Sequence, residues 1–296
     1  MRGLGGGNPD RVDQPAPLSA GGSRSAHGSL PPVTDWIQIF DDDCRVPPGR
    51  ELNELTAELA QCLRDPDPGI RDGHPYVVLR TWIERDVIAG DRRVQLGDEM
   101  ADRFTDPHTE ARTFAPLVLD MIVSRGDFRP RWLDAFSRWY PAETDLRGYH
   151  PRLGWLHAVA HGADLLGTFG RHRDVDPAAM LDLAGARLLA RTDHLWAERE
   201  DDRLARAVAL TLTRPELTAA ASTTWLDPIT ADFRAVSAST TPTYVSNMLR
   251  TLRALYVLVD CGIRVRPDSP RQQITHRHEV KQRLVDVLEN DAKAIG

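Results

Sequence analysis

Short amphipathic segments, separated by proline, glycine and aspartate, follow one another along most of this chain. In the clearest of them, four leucines recur at the spacing of one helix face: Leu52, Leu55, Leu59 and Leu63. Further helical segments are predicted at about 67–83, 92–104, 110–125, 129–140, 152–170, 177–191, 200–214, 216–234, 241–262 and 270–290. No stretch alternates convincingly as a strand does, so the sequence predicts an all-α fold.

The turn Asp65-Pro66-Asp67-Pro68 ends the leucine segment, and the next helix begins at once. Asp67 is predicted to cap that helix, with Pro68 at its first position. An acidic proline turn followed by isoleucine and arginine, between two amphipathic helices, resembles the turn inside HEAT-type repeats. We therefore expect helical hairpins stacked as a HEAT- or armadillo-like α-α superhelix, although no fixed period repeats this turn.

The chain is predicted to consist of a disordered tail at residues 1–32 and a single helical-repeat-like domain at residues 33–290. The tail is rich in glycine, proline and serine and has no apolar run typical of a signal peptide. No later window approaches the 18 or more apolar residues of a membrane span. Three distant cysteines argue against a disulfide framework and against a cysteine zinc site. We expect a cytoplasmic protein with no membrane partner.

The charge balance excludes one large class of partner. The formal net charge is -6, whereas a general polyanion binder needs a basic field or a long basic stripe, so we expect no nucleic-acid partner. The positive charge is almost all arginine, since Lys281 and Lys293 are the only lysines. This bias, together with the frequent alanine, aspartate and leucine, favours a GC-rich bacterial origin.

The richest polar pattern lies in the segment predicted as a helix at 152–170. At about 100° per residue, one narrow stripe of that helix contains His157, His161, Asp164 and Thr168, while apolar side chains gather on the opposite side. Imidazoles four residues apart can converge on one cation, and Asp164 could bind that cation or orient a ring. A divalent metal site at His157, His161 and Asp164 is therefore one interpretation. The structural alternative is that both histidines only form hydrogen bonds with neighbouring helices.

A second polar cluster, Glu198-Arg199-Glu200-Asp201-Asp202-Arg203, lies at the start of the segment at 200–214. The simple interpretation is an acidic helix N-terminus that complements the helix dipole. The functional one places Asp201 or Asp202 opposite the histidines, as a metal ligand or general base, with Arg203 binding an anion. The predicted binding groove consists of Arg147, Tyr149, Trp155, His157, His161, Asp164, Asp201, Asp202 and Arg203.

Four sequence strings together resemble a bacterial all-helical family, domain of unknown function 2785. They are Pro-Asp-Pro-Gly-Ile-Arg-Asp-Gly at 66–73, Arg-Gly-Tyr at 147–149, Gly-Trp-Leu-His-Ala-Val-Ala-His-Gly-Ala-Asp at 154–164 and Glu-Asp-Asp-Arg-Leu-Ala at 200–205. The likeness extends over roughly residues 50–260. The likeness implies a helical fold but transfers no reaction. It marks six motif positions: His157, His161, Asp164, Asp201, Asp202 and Arg203.

Two functions remain open from the sequence. The first is a binding module whose His- and Asp-lined groove holds a protein, a peptide or a small polar ligand. The second is a metal-dependent hydrolase that uses the stripe of His157, His161 and Asp164. Phosphate-binding loops, dinucleotide fingerprints, nucleophile elbows and HExxH are all missing from the sequence, so binding is favoured and enzymatic activity stays open.

Overall fold

The structure is a computed structural model that describes residues 34–236 and 241–295, with side chains up to residue 289. The tail predicted at residues 1–32 lies outside the described residues. The described residues from Asp35 onward form one compact unit.

Helices make up most of the described chain, which confirms the predicted all-α class. In chain order they are α1 (Trp36–Asp41), α2 (Leu52–Cys62), α3 (Pro68–Arg71), α4 (His74–Glu84), α5 (Gly90–Arg103), α6 (Thr109–Ser124), α7 (Pro130–Ala142), α8 (Ala158–Arg171), α9 (Pro177–Leu189), α10 (Glu200–Thr211), α11 (Asp227–Ala235), α12 (Thr243–Cys261) and α13 (Arg277–Ile295). The strands in the described ranges are two residues long and form antiparallel hairpins: β1 (Tyr149–His150) pairs with β2 (Gly154–Trp155), and β3 (Ile263–Arg264) pairs with β4 (Arg271–Gln272).

Successive helices of the compact unit alternate between two layers. In one layer, α4 packs beside α6, α6 beside α8, α8 beside α10, and α10 beside α12. In the other, α2 packs beside α5, α5 beside α7, α7 beside α9, and α9 beside α11. This alternation is the arrangement expected of stacked helix pairs. The detailed likeness to HEAT repeats stays a prediction.

The boundaries of four predicted segments differ clearly from the observed ones. The helix expected at 270–290 begins only at Arg277, after the β3–β4 hairpin. The helix expected at 67–83 is two helices, α3 and α4, with Gly73 between them. The helix expected at 152–170 begins only at Ala158, because the β1–β2 hairpin occupies the preceding residues. The segment at 216–234 becomes α-helical only at Asp227, after turns and a short 3₁₀ helix. Hydrophobic spacing cannot reveal hairpins this short, which alternate over only two residues.

Local signals predicted the start of α3 correctly. The Asp67 carboxylate accepts a hydrogen bond of 2.8 Å from the backbone N–H of Gly69, and Pro68 occupies the first turn. Deeper in the molecule, Trp82 and Trp132 are fully buried, and each indole N–H has a partner: the Cys44 carbonyl for Trp82 and Asp98 for Trp132. Large aromatic side chains with satisfied polar atoms therefore anchor both layers.

Candidate functional site

The β1–β2 hairpin that precedes α8 is held in place by a buried arginine from the first part of the chain. Arg71 of α3 has no exposed side-chain surface, and it donates hydrogen bonds to the backbone carbonyls of Leu153 and Trp155. Gly154 lies between those two residues at φ +67°, and an added Cβ there would come within 2.6 Å of the Pro68 side chain. The Asp-Pro turn and the hairpin therefore pack directly against each other.

The hairpin presents two exposed aromatic side chains and directs His157 towards α10. Tyr149 is 52% exposed and Trp155 is 42% exposed, and their ring centroids are 5.1 Å apart. The His157 ring stacks on Trp155 at 4.4 Å with nearly parallel planes. His157 itself has φ 50° and ψ 38°, a left-handed conformation that few residues other than glycine adopt. It is the N-cap of α8, so His157 and His161 do not share a regular helical stripe.

His157 faces a buried carboxylate at the start of α10. Its Nδ1 lies 3.5 Å from Oε1 of Glu200, and neither atom has a hydrogen-bond partner among the described residues. Burial alone raises the pKa of Glu200, but the polar contact with His157 and backbone hydrogen bonds outweigh it, and the pKa falls below its usual value. Glu200 is therefore ionised at neutral pH. The sequence placed Glu200 in the second polar cluster, at residues 198–203, but gave it no role of its own.

His161 lies in the interior rather than in a groove. Its Nδ1 donates a hydrogen bond of 2.9 Å to the Thr113 carbonyl of α6, and the Phe114 ring packs against it with a centroid distance of 5.4 Å. Burial is the main reason that its pKa is lowered to about 3. His161 is therefore a neutral, hydrogen-bonded imidazole at physiological pH.

Asp164 and Thr168, the other members of the predicted stripe, do line a cavity. This cavity has a volume of about 730 Å³ and lies between α6, α8, α10 and the β3–β4 hairpin; we call it the Asp164–Arg203 groove. Arg203 of α10 donates to both carboxylate oxygens of Asp164, with an Nε–Oδ1 distance of 2.8 Å. Thr168 donates its hydroxyl to Asp120 of α6. Polar groups from three helices thus meet in one wall.

The remaining predicted groove residues do not line this groove. Asp201 is buried and pairs with Arg250 of α12, with an N–O distance of 2.7 Å. Asp202 is exposed and pairs with Arg199 at 3.1 Å. Arg147 pairs with Asp145 of its own loop through two hydrogen bonds of 2.6 and 2.7 Å. These side chains hold helix ends and loops together.

The three predicted metal ligands are engaged with other groups. Asp164 binds Arg203, the Nδ1 of His161 binds Thr113, and His157 stands against Glu200. Within the described part of the chain, no group of three or more histidine, cysteine, aspartate or glutamate side chains could hold a metal ion. A metal site here stays a prediction that this geometry does not favour.

Sequence reasoning missed several groove residues. Asp120, Arg171, Arg206 and Arg266 line the groove together with Asp164 and Arg203. Helical spacing could have indicated two of them, because Arg171 lies three residues after Thr168 and Arg206 lies three residues after Arg203. Arg266 could not be found this way, since it enters through the β3–β4 hairpin about 60 residues later.

A second cavity, of about 640 Å³, opens between α5, α6 and α7 and is lined by Trp139, Arg138 and Ala142. We call it the Trp139 cavity. Several of its polar lining residues already bind one another, because Glu143 accepts hydrogen bonds from both Arg112 and the Trp139 indole. It therefore provides a comparison for the Asp164–Arg203 groove rather than a competing site.

Within the described ranges, no helix combines the length and the apolar character that a bilayer crossing demands. The fold and site together define an all-helical protein with a polar groove across three consecutive helices of one layer. The model of the DUF2785 family, described as a protein of unknown function, matches residues 105–257, and the chain belongs to that family. No curated protein and no solved structure matches the chain.

The matched region is shorter than the predicted likeness over residues 50–260. It contains Arg147, His157 and Arg203, but it begins after the Asp-Pro turn and ends within α12, before the β3–β4 hairpin. The family model therefore covers three walls of the groove and leaves out the fourth.

Proposed function

We propose that this protein is a binding module and that the Asp164–Arg203 groove holds a small polar ligand or a short peptide segment. The observation that carries the proposal is the groove itself. Its volume of about 730 Å³ falls within the range of about 300–1,000 Å³ that is typical of ligand pockets. Its walls come from α6, α8 and α10, which pack side by side, and rigid helices position polar groups well.

The composition of the groove supports reversible recognition. Val123, Ala207 and Leu210 give it an apolar part, while Asp164, Thr168 and Arg203 give it polar groups. Arg203 and Asp164 are only partly buried, so water or a ligand can reach the pair. A ligand can therefore exchange hydrogen bonds with this wall without unfolding a helix.

The hydrolase alternative needs a metal held by His157, His161 and Asp164, and no observation specifically favours it. The proposal includes a cytoplasmic, bacterial setting. Cys44, Cys62 and Cys261 are all free thiols, which is typical of proteins in a reducing compartment and supports the cytoplasmic part of this setting.

Blocking the groove tests the proposal. Ser124 lies exposed at the end of α6 and lines the groove, so Ser124→Trp fills it from the rim. Ala142 is also exposed and lines the Trp139 cavity, so Ala142→Trp is a matched control. Thermal unfolding is measured with a panel of amino acids, di- and tripeptides, sugars, nucleosides and organic acids.

A ligand of the native state raises the melting temperature according to its concentration and affinity. We expect at least one panel compound to stabilise the wild type and Ala142→Trp but not Ser124→Trp. If no compound stabilises the wild type, or if Ser124→Trp responds as the wild type does, the groove is not the binding site.

A further inference from the structure

Three arginines besides Arg203 line the Asp164–Arg203 groove. Arg171 comes from the last turn of α8, Arg206 from α10, and Arg266 from the turn between β3 and β4. Arg206 donates a hydrogen bond of 3.0 Å to the Val265 carbonyl, which ties the β3–β4 hairpin to α10. Three separate elements therefore bring guanidinium groups to one place; we call these three residues the arginine cluster.

The arginine cluster is not neutralised by any acidic side chain that the structure describes. Among the described residues, none of its three guanidinium groups forms an ion pair with a carboxylate. Burial lowers the pKa of Arg171, and the charges of Arg266 and Arg206 lower it further. These like charges repel one another, and the fold keeps them together without a counter-ion of its own.

The acids elsewhere in the groove are already engaged. Asp164 binds Arg203 through both oxygens. Burial raises the pKa of Asp120, and the hydrogen bond from Thr168 and the charge of Arg203 offset this only in part. The groove lining contains four arginines and two aspartates, so it carries an excess of positive charge even when both acids are ionised.

We propose that the arginine cluster binds the anionic group of the ligand, a carboxylate or a phosphate. This inference rests on the proposed binding function and names the chemical class of its ligand. Guanidinium groups suit such anions because each can donate two parallel hydrogen bonds to a pair of oxygens. The rest of the ligand lies along the apolar part of the groove, towards Ala207 and Leu210.

The site fits a small anion rather than a polyanion. The whole chain has a formal net charge of -6, so a long anionic polymer meets repulsion outside the groove. Among the described residues that line the groove, the three arginines of the cluster are the ones without an acidic partner, which is enough for one or two anionic groups. The ligand is therefore a compact organic anion.

The experiment measures binding of two probes, inorganic phosphate and citrate, by isothermal titration calorimetry with chloride salts at matched ionic strength. Glucose is the neutral probe and spermidine the cationic one. The tested proteins are the wild type, Arg171→Gln, Arg266→Gln and the double variant. Arg138→Gln is the control, since Arg138 is an exposed arginine that lines the Trp139 cavity. Circular dichroism and the unfolding midpoint verify that every variant folds.

We expect phosphate or citrate to bind the wild type and Arg138→Gln, and the dissociation constant to rise roughly 10- to 100-fold in each cluster variant, as loss of a charge-assisted hydrogen bond predicts. The stronger of the two probes identifies the kind of anion. Equal binding by wild type and double variant overturns the inference, as does binding of neither anion.

Thermal unfolding of Ser124→Trp with the compound panel distinguishes a failure of the anion inference from a failure of the proposed binding function. If a neutral or cationic panel compound stabilises the wild type but not Ser124→Trp, while neither anion binds, the groove has a ligand that is not anionic. If Ser124→Trp also leaves anion binding unchanged, the anions bind elsewhere and the inference is wrong.

Discussion

The guanidinium group of Arg71 donates a hydrogen bond of 3.2 Å to the backbone carbonyl of Trp155, which lies 84 positions later in the chain. Arg71 also donates to the carbonyls of Asp65, at 3.0 Å, and of Leu153. One fully buried side chain thus joins the turn before α3 to the hairpin before α8. The hairpin in turn sets the position at which α8 begins.

Replacing Arg71 by leucine is expected to destabilise the protein by about 3–5 kcal/mol, because three backbone carbonyls and Asp72 lose their buried donor. Urea unfolding followed by circular dichroism measures the loss. Arg80→Leu is the control, because Arg80 pairs with Glu84 on the exposed face of α4 and its loss should cost less than about 1 kcal/mol. Similar losses in the two variants would show that the Arg71 contacts contribute little.

Much of the fold could be predicted because its signals are local. Leu55 and Leu59 are buried at the spacing that marked the first helix, and Asp67 caps α3 as its sequence context indicated. The start of α8 could not be predicted, because Arg71 holds the preceding hairpin and His157 adopts a left-handed conformation. Contacts over 84 positions leave no periodic signal.

The site was only partly predictable for a related reason. Helical spacing placed His161, Asp164 and Thr168 on related faces of one helix, but it could not say which neighbour covers each turn. In the structure α6 covers His161, while Asp164 and Thr168 reach the groove. Arg266 entered the site through a hairpin that no apolar pattern marks.

Gly162 of α8 permits the close approach of α7. A Cβ added at this position would lie 2.2 Å from the Tyr140 ring, and Tyr140 cannot move freely because its hydroxyl donates to the Val159 carbonyl at 2.8 Å. Gly162→Ala is expected to destabilise the protein by about 1–3 kcal/mol, although alanine is the better helix former. Thermal unfolding measures this change.

Gly185→Ala in α9 is the control for Gly162→Ala. The closest atom that its added Cβ would meet outside its own helix is the Trp225 carbonyl oxygen at 3.3 Å, so the change in stability should be smaller than that at Gly162. A stable Gly162→Ala variant would mean that α7 and α8 can separate at little cost.

Two carboxylates that pair with arginine should differ in their contribution to stability. Glu143 is almost completely buried and accepts hydrogen bonds from Arg112, from the Trp139 indole and from two backbone N–H groups. Asp164 is a quarter exposed and binds Arg203. Glu143→Gln should lose about 2–4 kcal/mol and Asp164→Asn less than about 1 kcal/mol, because solvent screens the second pair. Chemical denaturation of both variants tests this order, and a larger loss at Asp164 would contradict it.

Burial of His161 gives stability a defined dependence on pH. Its pKa is lowered to about 3 in the folded protein, whereas an unfolded histidine has the ordinary value of 6.5. Between these values the unfolded chain binds more protons, so this contribution is fully present above pH 6.5 and decreases as pH falls towards 3. The limiting slope is about 1.4 kcal/mol per pH unit. Urea unfolding of wild type and His161→Gln between pH 7.5 and pH 5 tests this expectation, because the variant lacks the titrating ring. The wild type should lose stability more steeply than the variant below pH 6.5. Parallel curves would contradict the prediction, because they would mean that His161 has an ordinary pKa in the folded protein.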